Sequence, residues 1–205
     1  MNNIIEDLRI SPLKETNYIK PLKVNFTLNG IKKSWEAVRS HDSVAVLLYH
    51  KEKESFLFVK QFRVPVYLND KNITYTYELC AGLVDKNMTL EEIVSEEIDE
   101  ECGYKVDKKD IKKITSFFTN VGISGAKQHL YFATICENQK LHSGGGINDE
   151  QIELYFLNKD DMDSFIFDET KAKTPGLIFS LYWFLKNQKE LELKWRFWFY
   201  LYLYF

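Results

Sequence analysis

Residues 89–103 constrain the fold of this chain more than any other stretch. Seven carboxylates fall between Glu91 and Glu101, a density that taken alone describes a solvated acidic helix. Their placement argues against it. At about 100° per residue, Leu90, Ile93, Val94 and Ile98 form one apolar stripe, and Glu97 and Glu101 lie inside it. Two anions one turn apart on an inward face repel by roughly 3 kcal/mol at an effective dielectric near 20. Burial adds a desolvation cost to each. A hard divalent cation between them removes the conflict, because Mg²⁺ favours carboxylate oxygens and keeps water and phosphate in its other positions.

The flanks of this helix define a folded unit. Tyr75-Thr76-Tyr77-Glu78-Leu79-Cys80 is a β-prone run. Ala81-Gly82 should end it, and Gly82 permits close backbone approach. Thr89 with Glu92 three residues on is a capping box, and Gly103 is placed to stop the helix.

The segment from Gly82 to Tyr104 resembles the Nudix box, G-x5-E-x7-R-E-U-x-E-E-x-G-U, where U is a bulky aliphatic or aromatic residue. Glu97-Ile98-Asp99-Glu100-Glu101-Cys102-Gly103-Tyr104 matches its whole second half. Met88 stands where the box has its first Glu, and Glu96 where it has Arg; the pair that braces the helix in the family is therefore missing in both halves. Beyond the box, Lys33-Ser34-Trp35, His41-Asp42-Ser43-Val44, Val59-Lys60-Gln61-Phe62-Arg63, Glu78-Leu79-Cys80-Ala81-Gly82-Leu83-Val84-Asp85, Gly144-Gly145-Gly146 and Trp183-Phe184-Leu185 are similar to the UDP-sugar pyrophosphatase branch, close to the ADP-ribose pyrophosphatases. The resemblance spans roughly residues 5–190. It implies an α/β/α sandwich with a mixed central sheet, a homodimer, and Mg²⁺-dependent hydrolysis of a nucleoside diphosphate sugar to a nucleoside monophosphate and a sugar 1-phosphate, with Mn²⁺ an acceptable substitute.

Carried over by position, Glu97, Glu101 and the Ala81 carbonyl are expected metal ligands, with Glu100 a further metal or catalytic carboxylate. Relatives place a Glu-x-Glu on a mobile loop after a glycine run. Here Gly144-Gly145-Gly146 precedes Ile147-Asn148-Asp149-Glu150, so Glu150 matches the second Glu and Asn148 replaces the first. An amide takes no proton from water, which leaves Asp149 or Glu150 as the general base; solvated loop acids are the competing reading. Arg63, just past a strand, suits a bidentate phosphate contact or a surface ion pair, and Arg39 is a second phosphate or ribose candidate. Trp35 or Tyr67 could stack on the base or pack in the core. His41 and His129 lack metal-ligand spacing. No Ser/His/Asp set, Walker loop or CxxC pair is present, which disfavours covalent catalysis and a zinc site. The replacements Met88, Glu96 and Asn148 keep a non-catalytic nucleotide-sugar binder as the alternative.

With 205 residues and a net charge of −3, the chain suits one domain, and its mixed charges exclude a nucleic-acid footprint. The expected organisation is an N-terminal β arm over 1–40, which the resemblance implies packs on a second subunit and which otherwise extends its own sheet, a catalytic domain over 41–190, and an atypical tail over 191–205. Asn29-Gly30 predicts a hairpin joining Leu22–Leu28 to Ile31–Val38. Strands are predicted at Ser43–Tyr49, Ser55–Phe62, Ile114–Phe118, His129–Ile135 and Ile152–Leu157, with helices from Asp160 and after Thr174-Pro175. Three cysteines in no paired spacing, a polar N-terminus and no span of ~18–20 apolar residues point to the cytoplasm. Trp195–Phe205 is dense in aromatics, too short to span a bilayer, and if exposed an aggregation-prone β segment. It reads as a dimer contact, a membrane-surface contact, or the product of an altered reading frame. The last is preferred, because the resemblance fades before it.

Overall fold

Strand β3 (Ser43–His50) is an almost unbroken apolar run, the pattern of a strand covered on both faces. A computed structural model places it at the centre of a seven-stranded mixed sheet. The structure describes the whole chain except residues 1, 2, 4, 17, 148, 149 and 203–205, and except the side chains of 189, 190 and 192–202. Asp149 and the amide of Asn148 therefore lie outside the described residues.

The sheet runs β5 (Thr76–Glu78), β4 (Ser55–Gln61), β3, β8 (Lys127–Ile135), β7 (Lys112–Phe118), with β6 (Cys80–Leu83) also paired to β3 and β9 (Glu153–Asn158) to β4. Among the described residues its β3–β8 ladder is parallel and its other ladders are antiparallel. Alternation sends Val44, Val46, Leu48, Leu57 and Val59 to one face, where they meet Ile93, Val94 and Ile98 of the acidic helix. Ala45, Leu47, Tyr49, Phe56 and Phe58 point to the other, against Phe165 of α3 (Met162–Phe167) and Leu177, Leu181 and Phe184 of α4 (Pro175–Tyr202). Two helical layers on a mixed sheet form the expected α/β/α sandwich.

The predicted hairpin is present as β1 (Lys20–Leu28) and β2 (Ile31–Arg39). Asn29 and Gly30 both have positive φ, 52° and 79°, as a two-residue turn matched to strand twist requires. It forms a separate two-stranded sheet. Its base is tied to the β7–β8 loop by Val38 N–H to Ile123 O and Trp35 Nε1–H to Gly122 O, each 2.9 Å. Trp35 is thus an anchor.

One expectation needs correction, and two elements lie outside the expected set. Ala81-Gly82 does not end the pre-helix strand; the break comes at Leu79, and β6 continues through Gly82 to pair with β3. The tail over 195–202 is helical backbone, the continuation of the 28-residue α4, because a run without Gly or Pro extends a helix already nucleated at Pro175. A short helix α1 (Val64–Asn69), with proline in its first turn, has no expected counterpart; six residues are too few to show a helical period. Among the described residues no helix is long and apolar enough to cross a membrane.

Candidate active site

The acidic helix α2 (Leu90–Glu97) starts at the predicted capping box: Thr89 Oγ1 accepts from Glu92 N–H, and the Glu92 carboxylate accepts from Thr89 N–H. It then widens into a π-helical turn over Ile98–Cys102 and stops at Gly103, whose φ of 73° is left-handed. The widening has consequences for the acids. Each residue of a π turn rotates by less than 100°, so Glu101, four after Glu97, stays near its direction. Glu100, three after, lags further behind. Glu101 is buried at 5% exposure, while Glu97 and Glu100 are half-buried.

Strand β6 receives this acid face. Ala81 N–H donates to Glu101 Oε2 at 3.0 Å. In a strand a residue's N–H and C=O point to the same side, so the Ala81 carbonyl also faces Glu101. At Gly82 the approach is closer: a Cβ there would overlap the Glu97 carboxylate. Only glycine lets this side chain lie flat on the strand. Gly82→Ala is therefore expected to displace Glu97 and lower activity about 100-fold with little loss of thermal midpoint, as kcat and melting measured together will show.

Burial sets the electrostatics. Desolvation, and secondarily Glu100 and Glu150, raise Glu97 to about 7 against the opposing charge of Lys86. Desolvation raises Glu101 to about 8, against the Cys80 thiol and the Ala81 amide, which favour its charged form. Glu100 is raised too, first by desolvation and then by Glu96 and Glu150 against the pull of Lys86. Two acids held off their ordinary range beside a backbone carbonyl are a donor set suited to a hard divalent cation, which needs only one or two carboxylates and keeps several waters. Among the described residues no three acid, histidine or cysteine side chains close into a preformed metal cage. Glu100 is turned away by the π turn, and Glu150 is engaged elsewhere.

Glu150 is delivered by the glycine run. Gly145 N–H donates to Glu101 O at 2.8 Å and Gly146 N–H to Glu100 O at 3.1 Å, while Lys140 Nζ reaches Cys102 O at 2.8 Å. These contacts satisfy carbonyls that a helix end leaves open, and they fasten the start of the loop that carries Glu150. Glu150 itself is exposed, and its Oε2 accepts from Ile147 N–H at 3.0 Å. Its charge is felt at Glu97, Glu100, Glu101 and Arg63.

Arg63 caps the start of α1 and is paired bidentately with Glu78: Nε to Oε1 and Nη2 to Oε2, both 2.8 Å. Its pKa is raised, by the Glu78 hydrogen bond first and also by Glu101 and Glu150. Arg39, by contrast, is exposed on the hairpin, and no interaction links it to the acids among the described residues. Tyr67 packs on Phe62 with Lys71 over its ring. His129 is bonded to Ser116 Oγ. An open hollow of about 550 Å³ lies on the hairpin between Phe26 and Lys33 and touches none of the acids; charge, not hollow shape, locates this site.

Two participants escaped sequence reasoning. Glu78 lies fifteen positions from Arg63, and only the β4–β5 register, with Gln61 opposite Thr76, brings the two together. Lys86 forms an ion pair with Glu96. The residue at the expected Arg position thus finds a partner of opposite sign in the preceding loop, and a link of reversed polarity ties that loop to the helix.

No protein-family model matches the chain. Among curated proteins it is similar to the uridine diphosphate glucose pyrophosphatase NUDT14 of Bos taurus, 32% identical over 208 residues covering 88% of this chain and 94% of that one. The Mus musculus protein of the same name is 28% identical over 89% and 95% of the two chains. A GDP-mannose pyrophosphatase of Cronobacter sakazakii is 34% identical over 137 residues, 63% of this chain and 70% of that one.

Proposed function

The chain belongs to the Nudix hydrolases, and on that premise we propose that it hydrolyses the diphosphate of a nucleoside diphosphate sugar, of the UDP-glucose or ADP-ribose type, to a nucleoside monophosphate and a sugar 1-phosphate. The observation that carries the proposal is the buried Glu97–Glu101 pair laid against Ala81-Gly82. The names of the relatives, pyrophosphatases of UDP-glucose and GDP-mannose, support the substrate class.

Glu97, Glu101 and the Ala81 carbonyl would hold Mg²⁺, or Mn²⁺ in its place, with Glu100 at the margin. When bound, the cation neutralises phosphate oxygens and acidifies a water. Arg63 binds the diphosphate through the donors that Glu78 leaves free. Glu150 takes the proton of the attacking water on Oε1, its Oε2 being held by Ile147 N–H. Asp149, next to it in sequence, is the second candidate for that step. As water oxygen bonds to phosphorus, the bridging P–O bond breaks and its electron pair leaves with the departing phosphate. Arg39 would reach a substrate only from the arm.

The test is direct. Purified protein is incubated with UDP-glucose, ADP-ribose or GDP-mannose and Mg²⁺ or Mn²⁺, and the nucleotides are chromatographed. UMP, AMP or GMP above a Glu97→Gln control is expected; none above it defeats the proposal. A purely binding role is the lesser reading, since the acid pair is intact despite Met88 and Glu96; Asn148 in place of the first loop Glu is what still speaks for it.

The same proposal includes a homodimer formed through the 1–40 arm, with the catalytic domain over 41–190 and residence in the cytoplasm. Leu22, Val24, Phe26 and Leu28 of β1 share a hairpin face with Ile31 and Trp35 of β2. Their exposures run from 38% to 62%. Burying such side chains contributes up to about 1.5–3 kcal/mol each, and an exposed, largely apolar face, interrupted here by Lys33 opposite Phe26, supports an interaction surface. Sedimentation is expected to give a dimer that Phe26→Asp converts to monomer; a monomeric wild type refutes the arm's role.

A further inference from the structure

Glu78 is positioned for more than strand geometry. It sits at the end of β5, and its side chain is only 12% exposed against 46% for the Arg63 it grips. Behind it, the largely buried Thr76 places Oγ1 2.5 Å from Glu78 Oε1 and 3.2 Å from Gln61 O. The Thr76 hydroxyl thus fixes Glu78, and Glu78 fixes both rotation and plane of the Arg63 guanidinium.

Of the five guanidinium N–H donors, the Glu78 fork uses the one on Nε and one on Nη2. Three remain, two on Nη1 and one on Nη2, in the same plane and directed away from Glu78. Without its fork, an Arg side chain must be ordered by the ligand it binds, at a cost in affinity. With it, the remaining donors are set before substrate arrives.

We propose that Glu78, backed by Thr76, is a positioning residue that presents the free edge of the Arg63 guanidinium to the substrate diphosphate. The proposal rests on the reading of Arg63 as a diphosphate contact. A pair that merely clasps β5 to the start of α1 would affect melting and leave substrate affinity alone, so the two roles separate experimentally.

Steady-state kinetics on the best nucleoside diphosphate sugar, together with calorimetric binding of UDP, test this in the full chain. Glu78→Gln is expected to raise KM about 10-fold, with kcat within about two-fold of wild type. Thr76→Val, which keeps the ion pair and removes only its support, should raise KM about three-fold in the same direction. In an Arg63→Met background, Glu78→Gln should change KM no further. An unchanged KM in Glu78→Gln, or an additional rise on top of Arg63→Met, overturns the proposal. UDP binding separates this failure from failure of the activity. A wild type that binds UDP but turns nothing over defeats the hydrolase reading, and Glu78→Gln must then still weaken UDP binding for the positioning role to stand. Equal UDP affinity in wild type and Glu78→Gln, or no measurable binding in either, removes it.

Discussion

Glu101→Gln is expected to cut turnover by on the order of 10³-fold at saturating Mg²⁺, while the protein remains folded. The amide oxygen of Gln can still accept from Ala81 N–H, the backbone bond this carboxylate makes, so the strand–helix contact survives. What is lost is a negative charge at a position with 5% exposure, where little solvent screens it and no neighbour replaces it. Glu97→Gln should show a smaller loss, because Glu97 is half-buried where Glu101 is buried. Measuring kcat for both variants with melting curves checks the order. Full activity in Glu101→Gln would remove that carboxylate from the metal-binding set.

The metal-free protein is expected to lose stability as pH rises from about 4.5 to about 8, and divalent metal should restore it. Folded Glu101 holds its proton up to about 8 and Glu97 up to about 7, against an ordinary value of 4.5. Over that window the folded state binds more protons than the unfolded chain, so stability falls with increasing pH. It is fully present below the unfolded value and gone above the folded one. At about 1.4 kcal/mol per pKa unit the two shifts set a ceiling of roughly 8 kcal/mol, and because the acids titrate as a pair and Glu97 is only half-buried, on the order of 3 kcal/mol across the window is expected. For a chain of this size that amounts to roughly 6–12 °C in thermal midpoint. Melting in a chelator at pH 5 and pH 8.5 should show the drop, and Mg²⁺ at pH 8.5 should reverse it by binding the ionised pair. Glu101→Gln should flatten the profile. A midpoint indifferent to both pH and metal over this range would mean that the acids are not desolvated as the structure places them.

Local signals were legible where the physics is local. The capping box at Thr89, the stop at Gly103, the turn at Asn29-Gly30 and the start at Pro175 each involve contacts within four residues. The apolar stripe through Ile93, Val94 and Ile98 likewise disclosed that Glu97 and Glu101 face inward. Less visible was the π turn, since helical periodicity assumes a constant angle and a widened turn leaves no compositional mark. It decides that Glu101 is buried and Glu100 is not. The end of the pre-helix strand was misplaced for a related reason. Glycine usually interrupts a strand, and here β3 supplies a ladder that carries Gly82 along, because the Glu97 carboxylate occupies the space of a side chain.

The amino-acid order by itself determined the sandwich class, the inward acid pair and the family, since periodicity, capping and a spaced motif are properties of neighbours along the chain. Tertiary structure alone decided which groups meet across it. The Glu78 fork on Arg63, the Ala81 amide on Glu101, the glycine run on the helix end and the reversed Lys86–Glu96 link join residues ten to forty-six positions apart. Such pairs depend on strand register and on where a helix docks, and these are set by the packing of both sheet faces at once.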